Sequence, residues 1–335
     1  MVRTLGKQLI NRRIVILVSV LVLLLISIAI FYYIFPNGGK KHHPLIAIYP
    51  TAVPGHHPFY DTEQFLLDLD LVKSLGFEGV RLHQADYAEY GYGRLADDLN
   101  DRDLEFVMVL HSWNNSRFPE NETYVDVLIA YFQNIAEQLQ NKSNLLWYAL
   151  DYPYDWNRPY TQLGNPAYHS QLQRTIDAVH ETDPYHQIYL ISGMIDVVVT
   201  PPMDFDNVDG FGIMPYSRED LIDEIDIERI HWIDKYRATD KELYIAEWGV
   251  QTLQNSPNRT YNYGLASNES TKVKMIQEFV DYIREMVDYN NCDIYWDYFG
   301  LHDFPMENSD WGIAYFNNTL KPSGEAMKEA LAKSL

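Results

Sequence analysis

Cysteine is almost missing from this 335-residue chain: Cys292 is the only one, so no intramolecular disulfide forms and the fold stands on its core alone. Positive charge is scarce as well. Lysine and arginine number 26 against 47 aspartates and glutamates, and six of the 26 fall in the first 41 residues, which leaves −27 on the rest. A domain that acidic excludes nucleic acid as a partner and makes anionic lipid headgroups a poor one. Glycine-rich phosphate loops of the Gly-X-Gly-X-X-Gly or Walker kind are missing, which argues against an open doubly wound nucleotide-binding sheet. No Gly-X-Ser-X-Gly elbow is present to carry a serine nucleophile. Metal-ligand spacing is missing too. The pairs His42-His43 and His56-His57 point to opposite sides of an extended chain, and the first strand ends in "AIYPT" rather than His-X-His. No metal and no cofactor is expected.

What is present begins with one long apolar run. Arg3, Lys7, Arg12 and Arg13 precede 22 uncharged residues, Ile14 to Phe35, which as a helix span roughly 33 Å, enough for a bilayer. The run is longer than the core of a cleaved secretory signal, although such a signal is the alternative, and it leaves through the aromatic belt "FYYIF". The excess of basic residues before it places residues 1–13 in the cytoplasm, 14–35 in the membrane and the large remainder outside. Residues 36–43, "PNGGKKHH", read as a tether, and 44–335 as one domain. Six Asn-X-Ser/Thr sequons, beginning at Asn114, Asn121, Asn141, Asn258, Asn268 and Asn317, fit an extracytoplasmic glycoprotein or simply Asn-rich loops.

In that domain, short β-branched or aromatic runs alternate with stretches of helical period, the mark of βαβ units. Strands are expected near 45–49, 79–82, 105–110, 145–151, 187–192, 210–214, 243–247 and 293–299. Eight is the (β/α)8 barrel number, and chemistry in that fold sits at the carboxyl ends of the strands. Phe65, Leu69, Val72 and Leu75 form a stripe at helical spacing that reads as a core-facing surface. Between the fifth and sixth strands no helix is expected, because Pro201 and Pro202 forbid a long one.

Polar and aromatic residues gather at the predicted strand ends: Arg81 with His83, His111 with Trp113, Asp151 to Asp155, Tyr216, Glu247, and Trp296 with Asp297. By alternation Glu247 would share a face with Leu243 and Ile245, where a carboxylate needs a partner. Arg81 can hold it ionised and oriented, as a carboxylate nucleophile requires, or the two form a structural ion pair closing the barrel. His111 and Tyr216 can hydrogen-bond sugar hydroxyls, and Trp296 can stack on a pyranose.

These motifs resemble the clan A glycoside hydrolases of cellulase and mannanase type over roughly residues 44–335. "GFEGVRL" and "FVMVLH" look like their second and third strands, "QRTIDAVHETDPYHQIYLIS" like the fourth helix and fifth strand, "IAEWG" like the seventh strand and "IYWDYF" like the eighth. The resemblance implies a (β/α)8 barrel, which here follows the single transmembrane helix read from the apolar run. It implies Glu247 as nucleophile, Arg81 as its orienting partner and Trp296 as the floor of the cleavage subsite. The departure lies in "LLWYALDYPYDWN". Aligning Pro153 with the family's proline puts Tyr152 where the acid/base Glu belongs and Asp151 where the preceding Asn belongs. Tyrosine is too weak an acid for the task, so Asp151 becomes the acid/base if the face carrying Ala149 lines the barrel, with Asp155 as the other candidate. The expected activity is retaining hydrolysis of a β-linked oligo- or polysaccharide outside the cell, with transglycosylation by the same residues as a variant. The alternative is a catalytically inactive, carbohydrate-binding barrel.

Overall fold

Neighbouring parallel strands need a crossover of a dozen or more residues, and nearly every gap between the apolar runs is long enough to supply one. A computed structural model of the chain describes residues 41–48, 62–111, 122–151, 166–192, 205–213, 242–252, 265–266, 268–290, 293–303, 310–315 and 317–333. Within them β1 (His42–Ala47), β2 (Gly79–His83), β3 (Glu105–His111), β4 (Leu145–Asp151), β5 (Gln187–Ser192), β6 (Gly210–Ile213), β7 (Glu242–Trp248) and β10 (Ile294–Tyr298) form a closed barrel. Every adjacent pair is parallel, and β10 closes the ring on β1. A separate pair, β8 (Gln251–Thr252) and β9 (Leu265–Ala266), lies beyond β7. The described helices are α1 (Thr62–Leu75), α2 (Tyr92–Asn100), α3 (Glu122–Leu139), α4 (Pro166–Thr182), α5 (Glu269–Asn290) and α6 (Pro322–Ala332). The architecture is therefore the (β/α)8 barrel expected from the run spacing.

The helical stripe behaves as expected: Phe65, Leu69, Val72 and Leu75 are all buried against the barrel wall. Residues on the outer face of the strands, among them Val80, Leu82, Phe106, Met108, Tyr148 and Leu150, merge with those stripes into the main core. The inner face makes a second, smaller core from Leu45, Val107, Val109, Trp147, Ala149, Tyr189, Ile191, Tyr244 and Ala246. Trp147 lies flat on Tyr189 at 4.6 Å and meets Tyr244 and Tyr295 edge-on at 5.0 and 4.9 Å, so four aromatic rings plug the lower half of the barrel.

One boundary moves. Residues 36–43 are expected as tether, yet β1 already starts at His42. Both histidines have strand partners: His43 stacks on Tyr295 at 4.3 Å and its Nδ1 lies 2.6 Å from Glu78, while His42 Nδ1 accepts from the Trp296 indole at 3.2 Å. A polar dipeptide after Gly-Gly-Lys-Lys reads as linker because these contacts are made with residues far away in sequence. The apolar run 14–35 lies outside the described residues, and among the described helices none is long and apolar enough to cross a membrane.

Candidate active site

A parallel strand buried on both faces gives no hydrophobic alternation to reveal which side chains point inward. In β7 the inward set is decided by an irregularity. Trp296 of β10 pairs with Ile245 and Tyr298 with Trp248, so two steps on β10 match three on β7. The extra residue makes a bulge, a device that re-aims a side chain near a strand end. Ile245 and Trp248 both pack outward in the main core, with Trp248 stacked on Phe279 of α5 at 3.7 Å. Ala246 faces inward, and so does Glu247 beside it. The expectation that Glu247 shares a face with Ile245 is thus corrected. Gly212 on β6 leaves room for this, since a Cβ there would come within 2.9 Å of the Ala246 Cβ.

Inside the barrel mouth, Arg81 is the hub. Its Nη2 donates to Glu247 Oε2 at 2.7 Å, and its Nε is ion-paired with Asp297 Oδ2. Arg81 is 1% exposed, Asp297 is fully buried and Glu247 keeps 8% exposure, so of the two carboxylates only Glu247 reaches solvent. Two carboxylates share one guanidinium in a low-dielectric interior, which disfavours charging both. Burial, with Glu247 nearby, accordingly pushes Asp297 up to about 7 against the pull of Arg81. Tyr244 donates to Asp297 Oδ2 at 3.2 Å, whereas Oδ1 has no hydrogen-bond partner among the described residues.

Two histidines continue the rim. His83 Nε2 lies 3.5 Å from Arg81 Nη1, and burial, then Arg81 and His111, hold its imidazole well below the usual range, so it stays neutral and can accept from the guanidinium. The His111 ring stands 6.1 Å from that of His83. The buried amide of Gln84 clamps the main chain of His111 from both sides, accepting from its N–H at 2.8 Å and donating to its carbonyl at 2.6 Å. Asp86, in the 3₁₀ turn Gln84–Asp86 that follows β2, is pushed up to about 7 by burial, with His111 pulling it down. The mouth therefore holds two carboxyls that keep a proton near neutral pH beside a carboxylate held by arginine. Among the described residues no group of His, Cys, Asp and Glu could hold a metal ion.

The expected site residues separate clearly. Glu247 and Arg81 meet, and His111 stands on the same rim. Trp296 does not join them: it is fully buried on the outer face, edge-on to Phe77 and Phe279, with its N–H given to His42. Its neighbour Asp297 takes the inward position. Asp151 ends β4 in register with His111 and Ile191, two residues beyond inward-facing Ala149. The side chain of Asp151, together with Tyr152, Asp155 and Tyr216, lies outside the described residues. Asp297, His83, Gln84, Asp86 and Tyr244 are additions to the set. Asp297 and His83 stand at strand ends in the sequence, but Gln84 and Tyr244 carry no signal that separates them from ordinary core polar residues.

No protein-family model matches the chain, and no curated protein matches it in sequence. Solved structures do match in shape. A GH5_18 protein from Streptomyces cattleya in complex with GlcNAc superposes with a TM-score of 0.63 at 13% identity, over 88% of this chain and 81% of that one. The Clostridial cellulose synthase subunit Z from Clostridioides difficile gives 0.58 at 17% identity, over 87% and 99%. A β-D-glucuronidase from Dictyoglomus thermophilum gives 0.59 at 14% identity, over 88% of this chain and 50% of that one. At such identities the likeness establishes the barrel fold.

Proposed function

We propose that the chain is an O-glycosyl hydrolase of the clan A barrel type, acting on β-linked sugars with Glu247 as nucleophile. The observation that carries this reading is the Glu247 carboxylate, turned into the mouth by the β7 bulge and held 2.7 Å from Arg81 while still reaching solvent. An ion pair built only for stability has no need of a bulge to aim it or of an exposed edge. Solved structures of similar shape include proteins that bind sugars by their names, GlcNAc for one and Manβ1-4GlcNAc for another. In the retaining scheme Glu247 attacks the anomeric carbon as the bond to the leaving oxygen breaks and an acid protonates that oxygen. Water then displaces Glu247, giving up a proton to the same acid, now acting as base. We assign that acid/base to Asp151. Trp147 and Ala149 face inward, and strand alternation carries that face to Asp151.

The test is twofold. Purified full-length protein is screened against aryl β-glycosides, and a 2-fluoro glycoside is used to trap the covalent intermediate. The reading expects a single glycosyl adduct on the peptide containing Glu247, and loss of turnover in Glu247→Gln and Asp151→Asn with folding unchanged. Full turnover in Glu247→Gln overturns the assignment. A second reading, a carbohydrate-binding barrel without turnover, is favoured by one observation: tyrosine stands at position 152, where the resembling family carries its acid/base glutamate. Saturable sugar binding with no product from any substrate supports that reading. The anchored, outward-facing placement is part of the proposal and rests on residues 1–35; protease protection of a C-terminal epitope in inside-out vesicles checks it.

A further inference from the structure

The end of the barrel opposite the mouth carries a feature that the net charge hides. A cavity of about 580 Å³ lies between the start of β1, the C-terminal end of α1 and the packed helices α5 and α6. Five of its lining residues are cations, Lys41, Lys73, Arg284, Lys328 and Lys333, against one carboxylate, Glu78. His42 also lines it, but burial, with Arg284 next, pulls its imidazole down to about 4, so it is neutral at pH 7. In a chain with 26 basic and 47 acidic residues, this is a marked local inversion of charge.

Helix C-termini attract lysines through the macrodipole. That accounts for Lys73, whose ammonium donates to the Asp103 carbonyl at 2.7 Å, and for Lys333 at the cap of α6. It does not account for Lys41 ahead of a strand, or for Lys328, which stands before the last turn of α6. Arg284 is engaged with Asp281 and Glu78 with His43, which leaves the ammonium groups of Lys41, Lys328 and Lys333 without an ion-pair partner among the described residues. The remaining wall is apolar, formed by Leu75, Val287, Leu331 and Ala332. Cations around a rim and hydrocarbon on one wall match a phosphate bonded to an apolar group better than a free inorganic anion.

We propose that this cavity binds the phosphate headgroup of an anionic phospholipid and seats the barrel, mouth outward, on the membrane. The chain's own reach supports the choice of occupant. Six peptide steps separate Phe35, the last residue of the apolar run, from Lys41 in the lining, a span of at most about 21 Å fully extended. The proposal does not need the glycosidase reading but rests on the anchored placement proposed with it, and it opposes the inference from net charge that anionic headgroups are poor partners.

The experiment uses the full chain in neutral-detergent micelles doped with either phosphatidylglycerol or phosphatidylcholine, followed by amide hydrogen exchange. Phosphatidylglycerol slows exchange at residues 73–76 and 328–333, and phosphatidylcholine leaves it unchanged. The double variant Lys328→Gln, Lys333→Gln moves the required phosphatidylglycerol fraction up by roughly 25-fold, about fivefold per cation. Lys274→Gln, on an exposed face of α5 outside the cavity, leaves it where it was. Equal protection by both lipids, no shift in the double variant, or equal protection from inorganic phosphate alone overturns the proposal.

Discussion

One guanidinium cannot fully neutralise two carboxylates, and this mismatch at Arg81 governs the chemistry of single residues in the mouth. Asp297, pushed up to about 7, holds a proton in the folded state at pH values where the unfolded chain has lost it. Its contribution to stability is therefore fully present below about pH 4 and lost as the pH rises through about 7. Asp297→Asn keeps the shape and removes the titration, so the fall in melting temperature between pH 4 and 8 becomes shallower than in the parent; an unchanged slope counts against the assignment. Below about pH 7 the same variant leaves the charge beside Glu247 unchanged, because Asp297 is already protonated there. Arg81→Lys keeps the charge but loses the planar fork that reaches both carboxylates. Turnover falls about 100-fold through misplacement of Glu247, with little change in the far-UV circular dichroism spectrum. Glu247 and Arg81 are legible in the sequence because a charged residue within an apolar run must have a partner. The roles of Trp296 and Asp297 are exchanged relative to expectation, because adjacent residues on a strand buried on both faces differ only in parity, which composition does not record.

At the scale of single elements, the barrel depends on close approach between β6 and β7. A Cβ at position 212 would meet Ala246 at 2.9 Å, Tyr244 at 3.1 Å and Ile191 at 3.2 Å, all on the inner face. Gly212→Ala overpacks this layer and costs about 1–3 kcal/mol. Because the displaced residue is the bulge neighbour of Glu247, the loss in kcat exceeds the loss expected from stability alone. Urea denaturation alongside single-turnover kinetics measures both, and a fall in stability with kcat intact dissociates the bulge from the site. Seven of the eight barrel strands agree with the sequence runs to within a residue at either end, since long β-branched and aromatic stretches between helical periods have few other readings. The eighth, β1, begins earlier than its apolar run because His42 and His43 are held by Trp296, Tyr295 and Glu78, partners that local pattern cannot supply. The bulge itself is invisible in "ELYIAEW", because an extra residue in a ladder depends on what the neighbouring strand does.

The whole molecule divides its labour along the barrel axis. Acid-base groups occupy the mouth, an aromatic plug of Trp147, Tyr189, Tyr244 and Tyr295 fills the lower lumen, and the cationic cavity lies at the lower end outside the wall, between β1 and helices α1, α5 and α6. Among the described residues the plug touches the site at one point, Tyr244, whose ring meets Trp147 and whose hydroxyl donates to Asp297. Trp147 itself is 2% exposed and bonded to none of the mouth residues described, so its part is to fill volume. Trp147→Ala leaves a cavity that four surrounding strands are too constrained to collapse, and costs about 3–5 kcal/mol. Trp147→Phe keeps an aromatic face against Tyr189 and costs less. If the two halves of the lumen are independent, both variants lower the denaturation midpoint while KM for an aryl glycoside stays at the parent value below the new melting temperature. Glu247→Gln does the reverse, losing turnover at an unchanged midpoint. A rise in KM that tracks the loss of stability across the Trp147 pair would mean instead that Tyr244 transmits the packing of the plug to Asp297, and through Arg81 to Glu247.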